Sequence, residues 1–457
     1  MSDTCTIWKD NSCINNLTTS QEQAVKFLEG KDLNSLLKDN RDLIVFPKTN
    51  QDILKSAIFT RRYDSDTRDF KIWTTNLMGV LNYTNESLSC PVTISVGSRF
   101  DVDTNNKPNV KQPFLTYLLS EVFEGLVVSP NVDAIPYVLW DLLLVFLFTY
   151  HLKQSYRRGL FKQYVHSEYN ERCFKGSLDV GRHLKNNTPF MGKIGYNIEE
   201  FSYDNPILWL VRHAANSLRT RHADLLTAVT NKCNTVIEAI RAISEATPSY
   251  SPQRRYQLYH KCRIPIRHPF FSEYEDLRKT CLQISRREGV TPYAVGKEEV
   301  YGVLFDGAWL WEQFVAKLLA EPKMGFKHHV YGRKEDAILV FEGDTYPFYP
   351  DFTKGNAVVL DAKYKPYKPD KEKWNRDDVH QILSYMYLTG ANIGGVIYPA
   401  SAGTNWEIKP FYTRDYKGRW LNIPLRIPSC GDKFRAQMDA NVQEWKADVR
   451  QWLEKAK

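Results

Sequence analysis

Residues 349 to 365 read Tyr-Pro-Asp-Phe-Thr-Lys-Gly-Asn-Ala-Val-Val-Leu-Asp-Ala-Lys-Tyr-Lys, and this stretch limits the architecture more than any other part of the chain. Ala357 to Leu360 is a short apolar run suited to a strand, Lys-Gly-Asn at 354–356 supplies turn chemistry, and Tyr346 to Phe352 reads as the partner strand. Asp361 and Lys363 stand two residues apart, so a strand presents both on one face, with Asp351 on the neighbouring strand near the turn. Two carboxylates and an ammonium can therefore converge. Taken alone, an Asp-x-Lys after an upstream Asp describes a solvated, salt-bridged surface equally well.

At 457 residues the chain is long enough for several domains, and 43% hydrophobic with 25% charged residues excludes a disordered or fibrous class. The formal charge of +8 suits a polyanionic partner without requiring one. Eight cysteines at 5, 13, 90, 173, 233, 262, 281 and 430 form no C-x-x-C pair, which predicts a reduced, intracellular and cytoplasmic protein with no cysteine metal site. The first ten residues lack the pattern of a secretory leader. The most apolar run, Val138 to Tyr150, is too short to span a bilayer and contains Asp141, so it reads as a buried helix and no membrane is expected.

The organisation expected is an α/β, α+β multidomain chain: an amino-terminal β-rich module over 1–130, a mostly helical region over 131–300, a core over 301–430, and a carboxy-terminal helix over 431–457. Residues 1 to 60 carry no recognisable chemistry. Phe70–Trp73, Val80–Tyr83 and Val92–Val96 are β-prone, and Phe114–Val127 and Ile135–Tyr150 are apolar helical patterns separated from them by a polar loop at 101–112. Residues 151 to 300 read as helical, with Leu208, Val211, Ala215 and Leu218 along one stripe. Arg254, Arg255, Lys261 and Arg263 alternate with tyrosines as a phosphate-tracking surface would, or as a solvated helix face would. Asp306 can cap a helix to about Ala320 that contains Glu312. Strands at 338–342, 346–352 and 357–364 follow, then a charged loop at 366–377, a helix at 378–389 and a strand at 395–398, giving the order αβββαβ.

That order with those residues resembles the PD-(D/E)XK nuclease fold. Pro350-Asp351 is similar to its Pro-Asp element, Asp361-Ala362-Lys363 to its acidic-x-Lys element, Glu312 to the acidic residue of its first helix, and Gln381 with Tyr385 to the Q-x-x-x-Y element of its RecB-like branch. More narrowly, Leu360-Asp361-Ala362-Lys363-Tyr364-Lys365 and Trp311-Glu312-Gln313-Phe314-Val315 resemble the McrC family, the nuclease subunits of McrBC-type restriction systems. So do Gly159-Leu160, Tyr164-Val165, Lys175-Gly176-Ser177-Leu178-Asp179 and Tyr203-Asp204-Asn205-Pro206-Ile207. The resemblance spans about residues 90 to 400.

It implies a Mg2+-dependent DNA endonuclease acting on modified foreign DNA in antiviral defence, with Asp351, Asp361, Glu312 and the Ala362 carbonyl around the metal. Lys363 would lie at the scissile phosphate or the attacking water with its pKa open to depression beside the metal, and Gln381 and Tyr385 would orient nucleophile or phosphate. Lys365, Lys368, Lys371 and Lys373 can grip backbone phosphates or simply be solvated, and His380 reads as a packing or phosphate neighbour. The chain has no G-x-x-x-x-G-K-[ST] loop, so GTP would be bound by a partner, which the resemblance implies is a hexameric AAA+ GTPase of the McrB type stimulated by this chain. Arg61, Arg62 and Arg99 are candidates for contacting that ring, and two nuclease subunits would be needed for a double-strand cut. Two other readings stay open: a non-cleaving assembly and activator subunit, and a stand-alone RecB-like nuclease.

Overall fold

The computed structural model describes residues 7–14, 17–48, 50–64, 68–86, 88, 91–101, 112–123, 139–230, 233–288, 298–341, 347–366, 375–401, 408–414, 418–431 and 433–455. The chain is mixed α/β and forms two compact units, one from residues 1–124, 128–143 and 295–457, the other from 125–127 and 144–294.

The first unit holds two main sheets. One has the spatial order Ile7–Lys9, Val92–Gly97, Leu77–Thr84, Glu299–Asp306, Leu43–Phe46. Its central strand reads Leu-Met-Gly-Val-Leu-Asn-Tyr-Thr and is buried over its first seven residues, as a strand covered on both faces must be. The neighbour Glu299–Asp306 approaches so closely that a Cβ on Gly302, at φ +152°, would meet Val80 O at 2.1 Å. Helix Thr19–Leu28, started by a Thr18–Gln21 capping box, packs Ala24, Val25 and Leu28 against this sheet, with Leu33, Leu36 and Phe59 in the same core. The β-prone runs at 70–73, 80–83 and 92–96 all lie in strands. Residues 1 to 60, silent in sequence, supply two strands of this sheet, and the expected boundary at 300 falls inside a third.

The second sheet runs Lys327–His328, Phe352–Lys354, Val358–Ala362, Ile393–Ala400, Arg419–Arg426, Lys409–Tyr412. Helix Arg376–Thr389 links Val358–Ala362 to the parallel strand Ile393–Ala400, and Ile382, Tyr385 and Met386 pack with Val359, Val396 and Trp420. Helix Phe434–Lys455 buries Phe434, Met438, Val442, Trp445 and Val449, one stripe at three- and four-residue spacing. Two expectations change here. The hairpin partner of Val358–Leu360 is Phe352–Lys354, so Asp351 stands just ahead of that strand. Ile338–Leu339 pairs with Pro347–Phe348 in a separate two-stranded ribbon, and the sheet's edge is instead Lys327–His328, too short to leave a periodic pattern. Residues 342–346 and 367–374 lie outside the described residues, and with them Lys368, Lys371 and Lys373.

Helix Leu139–Tyr156 is buried almost throughout its apolar run, and among the described residues no helix is long and apolar enough to cross a membrane. The ends of the expected helices at 124–127 and 135–138, and most of the loop at 101–112, are outside the described residues. The second unit contains helices Pro206–Arg221, Ala223–Thr230, Asn234–Ala246, Arg255–Lys261 and Glu273–Arg287. It also contains what the helical reading of 151–300 left out: an antiparallel sheet of Gln163–Glu171, Ile194–Ser202 and Ser177–Leu178. Asn205 starts helix Pro206–Arg221 by accepting from Ile207 N and Leu208 N, both at 3.1 Å, which explains the Asn-Pro-Ile wording there.

Candidate active site

Asp361 ends the buried run Val358–Val359–Leu360 and is 1% exposed, while Lys363 N leaves the strand by donating to Ile397 O at 2.9 Å. Asp351 is fixed beside them because its Oδ2 accepts from Ala362 N at 2.7 Å. Helix Gly307–Leu319, capped by Asp306 Oδ1 on Trp309 N at 2.7 Å, brings in Glu312. Helix Arg376–Thr389 brings in Gln381 and Tyr385, one turn apart on one face. Glu312, Asp351, Asp361, Ala362, Lys363 and Gln381 all line one open cleft of about 340 Å³, with Asn50, Asp52, Ile53, Ser56, Asp306, Ala308 and Trp309 on its other walls.

The polar atoms form a continuous chain. Lys363 Nζ lies 2.7 Å from Asp361 Oδ2 and donates to Gln381 Oε1 at 2.7 Å. Gln381 Nε2 donates to Tyr385 OH at 3.0 Å, and that hydroxyl donates to Tyr349 O at 3.2 Å. Burial pushes the Asp351 carboxyl well above the usual carboxylate range, and the charges of Asp361 and Glu312 push it further. Burial raises Asp361 as well, against the lowering charge of Lys363. Around Lys363 burial works downward, but Asp361, Asp351 and Asp378 outweigh it and hold the ammonium above its ordinary value. The carboxylates of the cleft keep it charged.

A divalent cation fits this donor set. The carboxylates of Asp351, Asp361 and Glu312 line one cleft, and hard oxygen donors of this kind are what a divalent cation takes. Among the described residues no three His, Cys, Asp or Glu side chains stand as a group that could hold a metal ion. Mg2+ does not need a closed cage of side chains, since it takes few protein oxygens and keeps several waters.

The other candidate residues have the following surroundings. Lys365 Nζ sits 3.0 Å from both oxygens of Asp378, so its charge has an internal partner. Arg254, Lys261 and Arg263 are exposed and Arg255 half-buried over the Tyr256 ring at 5.1 Å, all within the second unit. Arg99 is half-buried: it pairs with buried Asp10 and lies 5.0 Å over the Tyr364 ring, just beyond strand Val358–Ala362. Arg61 pairs with Glu29, and Arg62 lies 5.3 Å over Trp73.

Two partners of the cleft were missed. Asp378 sits three residues before Gln381, so helical spacing could have revealed it. His328, bonded to Glu312 at 2.8 Å, sits on a two-residue edge strand that left no pattern.

The fold is mixed α/β, and its cleft brings carboxylates and an ammonium together beside a strand end. The profile of the family described as McrBC 5-methylcytosine restriction system component matches residues 72–399, and the chain belongs to that family. Among solved structures it is similar to a chain of a refined half-complex from the tetradecameric assembly of Thermococcus gammatolerans McrB AAA+ hexamers with bound McrC. The identity is 15%, 97% of this chain and 99% of that chain are covered, and the TM-score is 0.48. A cryo-EM structure of the Thermococcus gammatolerans McrBC complex matches at 15% identity over 69% of this chain and 87% of that chain, with a TM-score of 0.30. No curated protein matches the sequence.

Proposed function

We propose that this chain is the Mg2+-dependent DNA endonuclease subunit of a McrBC-type, GTP-dependent restriction complex, with a PD-(D/E)XK active site in the cleft around Asp361. The observation that carries the reading is the convergence of Glu312, Asp351, Asp361, Lys363 and Gln381 from two helices and the ends of two paired strands into one cleft. Asp351, Asp361, Glu312 and the Ala362 carbonyl would hold the metal, which when bound supplies Lewis-acid stabilisation and an activated water.

The residues do the rest. Lys363, kept cationic by its carboxylate neighbours, stabilises negative charge as it develops on the scissile phosphate. Gln381 fixes the ammonium, and the Tyr385 hydroxyl fixes the amide, so the cation is aimed before substrate arrives. Foreign or modified DNA is the substrate, and GTP binding and the choice of site belong to a McrB-like hexameric AAA+ partner whose GTPase this chain stimulates. A duplex cut takes two copies of the subunit, each supplying one cleft.

Cleavage of modified and unmodified DNA, measured with and without the partner GTPase, Mg2+ and GTP, tests the reading. Cutting that requires all three supports it. Cutting of linear DNA by the isolated chain would instead support a stand-alone nuclease, and stimulation of GTP hydrolysis with no cutting under any condition a non-cleaving activator.

A further inference from the structure

Strand Lys327–His328 lies at the edge of the catalytic sheet, antiparallel to Phe352–Lys354, with His328 opposite Phe352. It touches both flanks of the cleft. His328 Nε2 meets Glu312 Oε1 at 2.8 Å, and the imidazole stacks on the Phe352 ring with centroids 5.3 Å apart and planes at 29°. Phe352 directly follows Asp351, and the residue just after the edge strand, His329, donates its N–H to Asp351 O at 3.0 Å. The ring is therefore fixed by stacking and by the backbone, and its Nε2–H is aimed at one oxygen of Glu312. The Glu312 side chain is about a quarter exposed, at 27%, and its helix alone leaves it free to rotate.

We infer that His328 is a positioning residue that holds the Glu312 carboxylate for the metal by fixing its Oε1. This rests on the proposed metal site. A hydrogen bond to a metal-directed carboxylate removes rotamer freedom before binding, and removal of such outer partners typically costs about 10- to 100-fold in metal affinity or activity. The neighbour Lys327 does not share the role, since its ammonium pairs with Asp336 at 3.0 Å.

The test uses the full-length chain with Mn2+ as probe, its affinity read by titration calorimetry and by its electron paramagnetic resonance signal, and cleavage followed against Mn2+ concentration in the complete system. His328→Leu removes the donor and keeps an apolar contact with Phe352. It is expected to bind Mn2+ about 10- to 100-fold more weakly, with most of the cleavage rate recovered at saturating metal. His328→Gln, whose amide can donate from nearly the same place, is expected to restore most of the affinity. Wild-type affinity in His328→Leu overturns the inference. So does an equal loss in both variants when their melting curves match the wild type, because the ring and not its hydrogen bond would then matter. Asp361→Asn separates the two levels of the claim: if it too binds Mn2+ like the wild type, the metal site itself is wrongly placed.

Discussion

Lys363 reaches Asp361 and Gln381 at 2.7 Å each, so its position depends on Gln381, which depends in turn on the Tyr385 hydroxyl. Tyr385→Phe deletes one acceptor for Gln381 and one donor to Tyr349 O without opening a cavity. A neutral hydrogen bond contributes about 0.5–1.5 kcal/mol, so the cleavage rate should fall by up to about tenfold while metal affinity stays unchanged. Single-turnover cleavage and Mn2+ titration measure the two, and an undiminished rate would remove Tyr385 from the relay. At this scale the site was legible wherever the geometry is local. A strand's two-residue period places Asp361 with Lys363, and a helix turn places Gln381 with Tyr385. His328 and Asp52 were not legible, because they reach the cleft only through sheet pairing and chain crossing that no short window contains.

Among the elements, helices Pro206–Arg221 and Glu273–Arg287 of the second unit are tied where His213 Nε2 meets Glu288 Oε2 at 3.0 Å. Burial alone would raise the Glu288 carboxyl, but hydrogen bonds from His213 and Ser217 and the His213 charge outweigh it and hold it below 4.5. A lowered folded pKa means stability that is fully present above the unfolded value and lost as pH falls through the folded one. Glu288→Gln should thus be less stable than wild type near neutral pH, by about 1 kcal/mol. The gap should close as pH drops below about 4.5. Urea unfolding from pH 7 down to pH 3 checks this, and a gap that widened on acidification would show the sign to be wrong. The helices here were readable from their apolar stripes. The sheet at 163–202 was not, because its strands alternate half-buried and exposed residues without an apolar face strong enough to register.

On the scale of the molecule, the amino-terminal residues and the residues of the candidate site belong to one compact unit rather than to separate modules. Ile7–Lys9 and Leu43–Phe46 pair with Val92–Gly97 and with Glu299–Asp306, and the latter leads straight into the helix that carries Glu312. Deleting residues 1–46 would strip Leu28, Leu33, Leu43 and Val45 from a shared core and leave strand edges unpaired. The truncated chain should lack a cooperative melting transition by circular dichroism, and a sharp transition near that of the full chain would refute the shared core. Sequence composition could announce an α/β protein, but pairing between residue 44 and residue 303 is set by long-range contacts and leaves no local trace.

The central claim is that the cleft around Asp361 and Lys363 cuts DNA, and Lys363→Ala tests it most directly. Purified wild-type and variant chains, each mixed with the partner GTPase, Mg2+, GTP and modified DNA, are compared for cleavage and for stimulation of GTP hydrolysis. The variant should lose cleavage by at least about a hundredfold, as expected when an oriented charge at the transition state is removed, while stimulating GTP hydrolysis like the wild type. Cleavage at the wild-type rate would place the active site elsewhere.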